Sequence, residues 1–313
     1  MSLAIIFNGQ GAHYQGMGQD FVKEFTEAEV IYEKVEKLSG YSIKQMINKD
    51  IKKLEQTRYA QIGIVATSLA IYKSIEKELP APDFMAGLSL GEYSALIASE
   101  SLSLEAGFEI LKKRGQLMAD HCKSLRESSN LGMEVVLAMP LEKVKNIITE
   151  INKEAEELYV ANINSTQQII LAGTKDSLTR FKKLANRKGY RKMMPLKVEG
   201  PFHSPYMEAI YQPYEEILEK IIFHEGKTPV ISNTVVKEHT VNEIKERLVR
   251  HLIEPVRWQE TIQYMMDSGV KKIIQIGPGK TLGNLLKREE KAPDYLVIDQ
   301  VNDLNKMQKF IGG

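Results

Sequence analysis

The residues of this chain whose types and spacing could do chemistry centre on Gly87-Leu88-Ser89-Leu90-Gly91. A short apolar run, Asp83-Phe84-Met85-Ala86, leads in, and a helix-forming run from Glu92 to Ile97 leads out. Gly-x-Ser-x-Gly between a strand and a helix is the pattern of a nucleophile elbow, a tight bend that exposes a serine hydroxyl. Glycines two residues to either side let strand and helix pass closely while the serine keeps a strained backbone. Free N–H groups at the start of the following helix suit a developing oxyanion. The competing reading is a helix N-cap serine between two flexible glycines.

A serine nucleophile needs a base, and histidine is the usual one. Of six histidines, His203 stands apart in the loop Glu199-Gly200-Pro201-Phe202-His203-Ser204-Pro205. It follows the serine in chain order, as in hydrolases with an elbow serine; a turn histidine without chemical role is the alternative. His13, in the first Gly-rich loop, could also approach the site. His121, His224, His239 and His251 sit in charged or helical surroundings, which predicts surface positions. No Asp occupies a strand-end loop between Ser89 and His203, which leaves a backbone carbonyl to orient the ring. Gly277-Pro278-Gly279-Lys280 lacks the spacing of a phosphate loop and reads as a turn before a helix. Gly9-Gln10-Gly11 is too short for a dinucleotide fingerprint.

The elements that must position these residues are those of an α/β protein. Leu3 to Phe7 is a β run, and helical spacing follows over Phe21 to Leu38 and Thr57 to Leu79. Pro80-Ala81-Pro82 stops the second helix before the elbow strand, and Glu105 to Leu125 forms a further helix. The texture changes near Ser128-Ser129-Asn130. Strand Gly132–Met139, helix Leu141–Ala155, strands Leu158–Ile163 and Gln167–Ala172, helix Lys175–Lys188 and strand Arg191–Val198 follow. That order is the split βαβ of a ferredoxin-like unit. The chain then returns through helix Met207–Ile222, strand Pro229–Ser232, helices Val241–Leu252 and Glu260–Ser268, strand Lys272–Ile276 and helix Thr281–Arg288. We expect a large α/β-hydrolase-like domain with a parallel sheet, residues 1–128 and 199–313, carrying an inserted ferredoxin-like small subdomain, residues 129–198.

At 313 residues the chain can bury a full core, and its near-zero net charge of +1 gives no reason to expect nucleic acid as a partner. A single cysteine, Cys122, excludes an internal disulfide framework and a cysteine metal cluster, and fits a reducing compartment. The longest apolar runs fall short of a membrane span, so a cytoplasmic protein with no membrane partner and no metal site is expected.

With these pieces in place the chain resembles the malonyl-CoA:acyl carrier protein transacylase family. Phe7-Asn8-Gly9-Gln10-Gly11 is similar to that family's Phe-Pro-Gly-Gln-Gly, and Gly87-Leu88-Ser89-Leu90-Gly91-Glu92-Tyr93-Ser94-Ala95-Leu96 to its Gly-His-Ser-Leu-Gly-Glu-Tyr-Ser-Ala-Leu. Arg114-Gly115-Gln116-Leu117-Met118, Asn162-Ile163-Asn164-Ser165, Phe202-His203, Glu254-Pro255-Val256-Arg257-Trp258 and Ile276-Gly277-Pro278-Gly279-Lys280 resemble later landmarks, in the right order. Leu88 in place of histidine and Asn8 in place of proline are departures. They look more like the discrete acyltransferases that serve polyketide synthases lacking built-in ones.

The resemblance implies roles. Ser89 takes malonyl from malonyl-CoA as an ester, with His203 as base and then acid. Backbone N–H groups of Gln10 and Leu90 form the oxyanion hole, and the backbone carbonyl of His251 orients His203. Arg114, Phe202 and Asn162 bind substrate: Arg114 pairs with the malonyl carboxylate, and Phe202 leaves little room for an α-methyl branch. No cofactor is implied, since phosphopantetheine is carried by the partner, an acyl carrier protein or a carrier domain of a synthase. The alternatives are an acyl-carrier-protein hydrolase and a non-catalytic homologue that binds carrier protein.

Overall fold

The computed structural model describes residues 2–153, 155, 157–289 and 291–312; residues 1, 154, 156, 290 and 313, which fall within the expected spans, lie outside it. Four short strands, β1 (Leu3–Phe7), β2 (Phe84–Gly87), β7 (Lys272–Ile276) and β8 (Asp294–Ile298), make a parallel sheet in the order β2-β1-β7-β8. Between β2 and β7 in the chain come β3 (Leu131–Leu137), β4 (Leu158–Ser165), β5 (Gln168–Thr174) and β6 (Met193–Pro195). These form a separate antiparallel sheet in the order β4-β5-β3-β6, with helices Leu141–Ile151 and Lys175–Arg187 between its strands. The α/β fold with a parallel sheet and an inserted ferredoxin-like unit is thus present.

β1 is buried along its whole length, as strands covered on both faces are. Helix Thr57–Ile75 packs beside the sheet with almost no polar face, which marks an interior helix rather than an amphipathic surface one. Phe7 is the register partner of both Gly87 and Ile276, so β1, β2 and β7 end side by side. The loops after Phe7, Gly87 and Ile276 therefore gather at one edge, the carboxyl ends of parallel strands, where ligand sites of open α/β sheets lie.

The structure departs from the sequence expectations at several ends. Phe21–Leu38 divides into two helices, Gln19–Glu24 and Thr26–Ser39, around an extended Phe25. The helix expected to reach Ala155 ends at Ile151, and the strand expected over Arg191–Val198 shortens to Met193–Pro195 because β6 pairs only with β3. Met207–Ile222 opens as a 3₁₀ turn, Pro205–Ile210, before helix Tyr211–Leu218. Pro229–Ser232 makes only isolated bridges, Val230 to Met85 and Ile231 to Glu238. β8 and the C-terminal helix Leu304–Gly312 were not anticipated.

Candidate active site

Ser89 stands on the turn between β2 and helix Gly91–Ala98, with φ at 52°, a left-handed conformation rare for a residue with a side chain. The flanking glycines are dictated by contact. A Cβ on Gly87 would lie 1.9 Å from the Gly91 carbonyl carbon, and one on Gly91 would lie 2.2 Å from the Phe7 carbonyl oxygen. A Cβ on Gly9 would meet the Leu88 carbonyl oxygen at 2.3 Å, so the first loop lies directly on the elbow.

His203 also has a left-handed backbone, φ 56°, in a loop where Gly200 leaves room for the Cys122 thiol. Ser89 Oγ and His203 Nε2 are 2.7 Å apart, and His203 Nδ1 is 2.8 Å from the backbone carbonyl oxygen of His251. A carbonyl can only accept, so Nδ1 carries the proton and Nε2 is free to take one from the serine. Burial holds the His203 imidazole down to about 4, opposed by the His251 carbonyl and reinforced by the charge of Arg114. The imidazole is therefore neutral at ordinary pH.

Arg114, on helix Leu104–Ser128, is almost wholly buried, with its guanidinium 5.2 Å from the centre of the Tyr93 ring. Its Nε has no hydrogen-bond partner, and among the described residues no carboxylate lies within ion-pair distance. A buried cation without an anion is costly. Its neighbour Gly115 serves helix packing, since a Cβ there would lie 3.0 Å from Arg58 Cα.

The backbone N–H groups of Leu90 and Gln10 have no protein acceptor among the described residues, Leu90 at the start of the elbow helix and Gln10 in the loop on the elbow. Asn8 explains its own presence. Its Nδ2 donates to the carbonyls of Pro278 and Gly279 at 2.8 and 3.2 Å, and its Oδ1 accepts from Leu282 N–H at 3.2 Å. It thus ties the first loop to the Gly277–Lys280 turn and caps the next helix, which proline could not do. Leu88, half-buried, packs against the apolar cluster of Ala86, Trp258 and Leu282. Phe202 is buried beside His203 in the main core. Asn162 lies within β4, inside the strand expected there, and its backbone bridges to Val256.

Two histidines expected at the surface are interior. His251 is buried with its ring stacked on His203, centroids 4.9 Å apart, and His239 Nε2 is 2.7 Å from Glu92 Oε1. Burial pushes His251 well below its ordinary range, with His203, Arg114 and His239 acting in the same direction. The signal for this was Glu92, the one charged residue in the otherwise apolar helix Gly91–Ala98, which requires a buried partner. His121 is half-buried with Nε2 2.8 Å from the Tyr206 carbonyl, and His224 is exposed. His13 sits in the field of Glu55. Asn233, whose Oδ1 accepts from Ser89 N–H at 2.7 Å, was missed.

A parallel α/β sheet with an elbow serine, a neutral histidine at 2.7 Å and unpaired N–H donors beside it defines a serine acyl-transfer fold. The acyl transferase domain family matches residues 4–308, and the chain belongs to it. Malonyl CoA-acyl carrier protein transacylase of Bacillus subtilis is 32% identical over 288 residues, covering 91% of this chain and 90% of that protein. The polyketide biosynthesis malonyl CoA-acyl carrier protein transacylase PksC of the same organism is 34% identical over 297 residues, covering 94% and 99%. The crystal structure of MCAT from Streptococcus pneumoniae superposes with a TM-score of 0.92 at 33% identity, covering 98% and 99%.

Proposed function

We propose that this chain transfers a malonyl group from malonyl-CoA, through a Ser89 ester, to the phosphopantetheine thiol of an acyl carrier protein. The observation that carries this reading is the Ser89–His203 contact together with a buried Arg114 that meets no carboxylate among the described residues. A substrate carboxylate completes that cation, and a planar guanidinium receives it bidentately. An acyl chain without a carboxylate leaves the cation unpaired, which disfavours the hydrolase alternative.

The steps follow from the geometry. Ser89 Oγ attacks the thioester carbonyl while its proton passes to His203 Nε2, and the oxyanion is received by the Leu90 and Gln10 amides. The C–S bond breaks, and the His203 imidazolium returns the proton to the departing thiolate of coenzyme A. The carrier's thiol then gives its proton to His203 and attacks the ester, and Ser89 leaves with that proton. The His251 carbonyl keeps the imidazole in the tautomer that both halves need. Every proton and electron pair comes from Ser89, His203 and the two thiol substrates, so we assign no resident cofactor. Among the described residues no helix is long and apolar enough to cross a membrane. The single cysteine, Cys122, leaves no internal disulfide to form, which fits our placement of the reaction in the reducing cytoplasm.

Intact-mass measurement after mixing with malonyl-CoA tests the reading. The expected result is a stable malonyl adduct that Ser89→Ala abolishes and holo carrier protein discharges. An adduct that persists in Ser89→Ala, or discharges to water faster than to carrier protein, overturns it.

A further inference from the structure

Asn233 is fully buried, and each of its polar groups is engaged. The carboxamide spans the elbow: Oδ1 accepts from Ser89 N–H at 2.7 Å, and Nδ2 donates to the Gly87 carbonyl at 2.8 Å. Its backbone N–H donates to Glu92 Oε2 at 3.1 Å, and its backbone carbonyl accepts from Arg257 N–H at 2.9 Å. Glu92 is itself held by His239 and lies in the first turn of the helix that leaves the elbow, so the contacts close a ring around Ser89.

The turn that carries Asn233 is placed with equal care. Residues 229–231 run beside β2, with Met85 N–H donating to the Pro229 carbonyl and Ile231 N–H to the Met85 carbonyl. This sets the turn after Ile231 next to the turn after Gly87. Ser232 N–H donates to the Lys237 carbonyl and Val236 N–H to the Ser232 carbonyl. Val236, a β-branched residue, is held at φ 56°. Such strain persists only where surrounding contacts over-determine it.

We propose that Asn233 is the positioning residue of the nucleophile: one carboxamide bridges Gly87 and Ser89, holds the serine in its left-handed conformation, and aims Oγ at His203. A second consequence follows. The Ser89 N–H is consumed by Asn233, so the oxyanion must be received by other amides, which leaves that task to Leu90 and Gln10. The inference rests on Ser89 as nucleophile and is independent of which acyl group it carries.

A fluorophosphonate reagent separates these claims, because Ser89 Oγ displaces fluoride from phosphorus, its proton leaves through His203, and no malonyl recognition is needed. Asn233→Ala should slow both this labelling and malonyl acylation by about 10²-fold, the cost of misplacing a reacting atom by about 1 Å, while KM for malonyl-CoA stays near native. Asn233→Asp gives a signature that a general loss of stability does not. It keeps the acceptor for Ser89 N–H but sets a second carboxylate oxygen against the Gly87 carbonyl; a protonated carboxyl restores the donor. The charged and titratable groups around that position are Glu92 and beyond it His239 and His251, Arg257, whose guanidinium is taken up by Glu260, and His203 across Ser89. Glu92 opposes a second negative charge and favours proton uptake. His203 remains neutral well below pH 6.5.

The labelling rate of Asn233→Asp, taken as a ratio to native at each pH, should therefore rise as pH falls from about 8 to about 5.5. Labelling of Asn233→Ala at close to the native rate, or a ratio for Asn233→Asp that is flat with pH, overturns the proposal. If Asn233→Ala does not fold, the ratio for Asn233→Asp decides alone. Continued labelling of Ser89→Ala would instead refute the nucleophile itself.

Discussion

The two sides of the Ser89 site differ in how their polar groups are satisfied. On the elbow side the Gly87 carbonyl, the Ser89 N–H, the Glu92 carboxylate and Asn233 meet protein partners at 2.7 to 3.1 Å. By contrast, Arg114 Nε and the Leu90 and Gln10 amides are, among the described residues, donors without acceptors. Paired groups in a dry interior fix geometry, and unpaired donors there are costly until an anion arrives. On the proposed reading the paired groups hold the nucleophile still, and the unpaired donors receive the substrate carboxylate and the developing oxyanion.

Removing the waiting cation is the sharpest way to break that contrast. In a mostly dry pocket a guanidinium paired to a carboxylate is worth on the order of 2–5 kcal/mol, counting the partner left unpaired. Arg114→Ala should erase most malonyl transfer, while acetyl transfer from acetyl-CoA stays level or improves, since a buried unpaired cation has gone. Steady-state kinetics with both donors measure this. Equal losses for acetyl and malonyl would make Arg114 a structural residue and remove the main support for the malonyl assignment.

A middle-sized effect concerns proton uptake by the base. As the proposed base His203 acts only when neutral, and burial holds it down to about 4 rather than 6.5. The acid limb of kcat/KM for acylation should fall near pH 4, with a flat profile through 6.5. The unfolded chain takes up this proton near 6.5 and the folded chain does not, so the group weakens the fold as pH drops from 6.5 towards 4. An acid limb near 6.5 in the acylation profile would place His203 in contact with water and contradict the dry site.

How much of this was legible in the residues depends on whether the cause is local. The elbow could be read because any Cβ on Gly87 collides with the backbone of Gly91 and Glu92, a constraint confined to a few residues. The ferredoxin-like unit could be read because hydrophobic period and turn residues alternate within about 70 residues. Interior histidines could not, because His239 and His251 look amphipathic in their own helices and turns. Glu92, which His239 meets at 2.7 Å and His251 approaches to 3.6 Å, lies about 150 to 160 residues away in the chain, and chain-local periodicity cannot report it. Asn233 was hidden for the same reason: a strand was expected over Pro229–Ser232, but nothing local to it says that its bridge from Val230 to Met85 sets the following turn beside the elbow. β8 went unnoticed because Asp294–Ile298 carries only a brief apolar run, made a strand by pairing with β7.

The smallest effect is expected at His251, where the two sides meet. Its backbone carbonyl orients His203 at 2.8 Å, whereas neither ring nitrogen has a hydrogen-bond partner. Its Nδ1 lies 3.6 Å from Glu92 Oε2, beyond a hydrogen bond, and the ring only stacks on His203. If the carbonyl alone serves the base, the imidazole is dispensable and a side chain of similar length can take its place. His251→Gln should then transfer malonyl at close to the parent rate, with the same acid limb. The contrasting result is a loss comparable to that of His203→Ala, for which about 10²–10⁴-fold is expected of a positioned acid-base group. Such a loss, in a protein that circular dichroism shows to be folded, would mean that the ring itself works in the site. It would also move Glu92 from the holding side to the reacting side, because His251 is the group that stands between that carboxylate and the base.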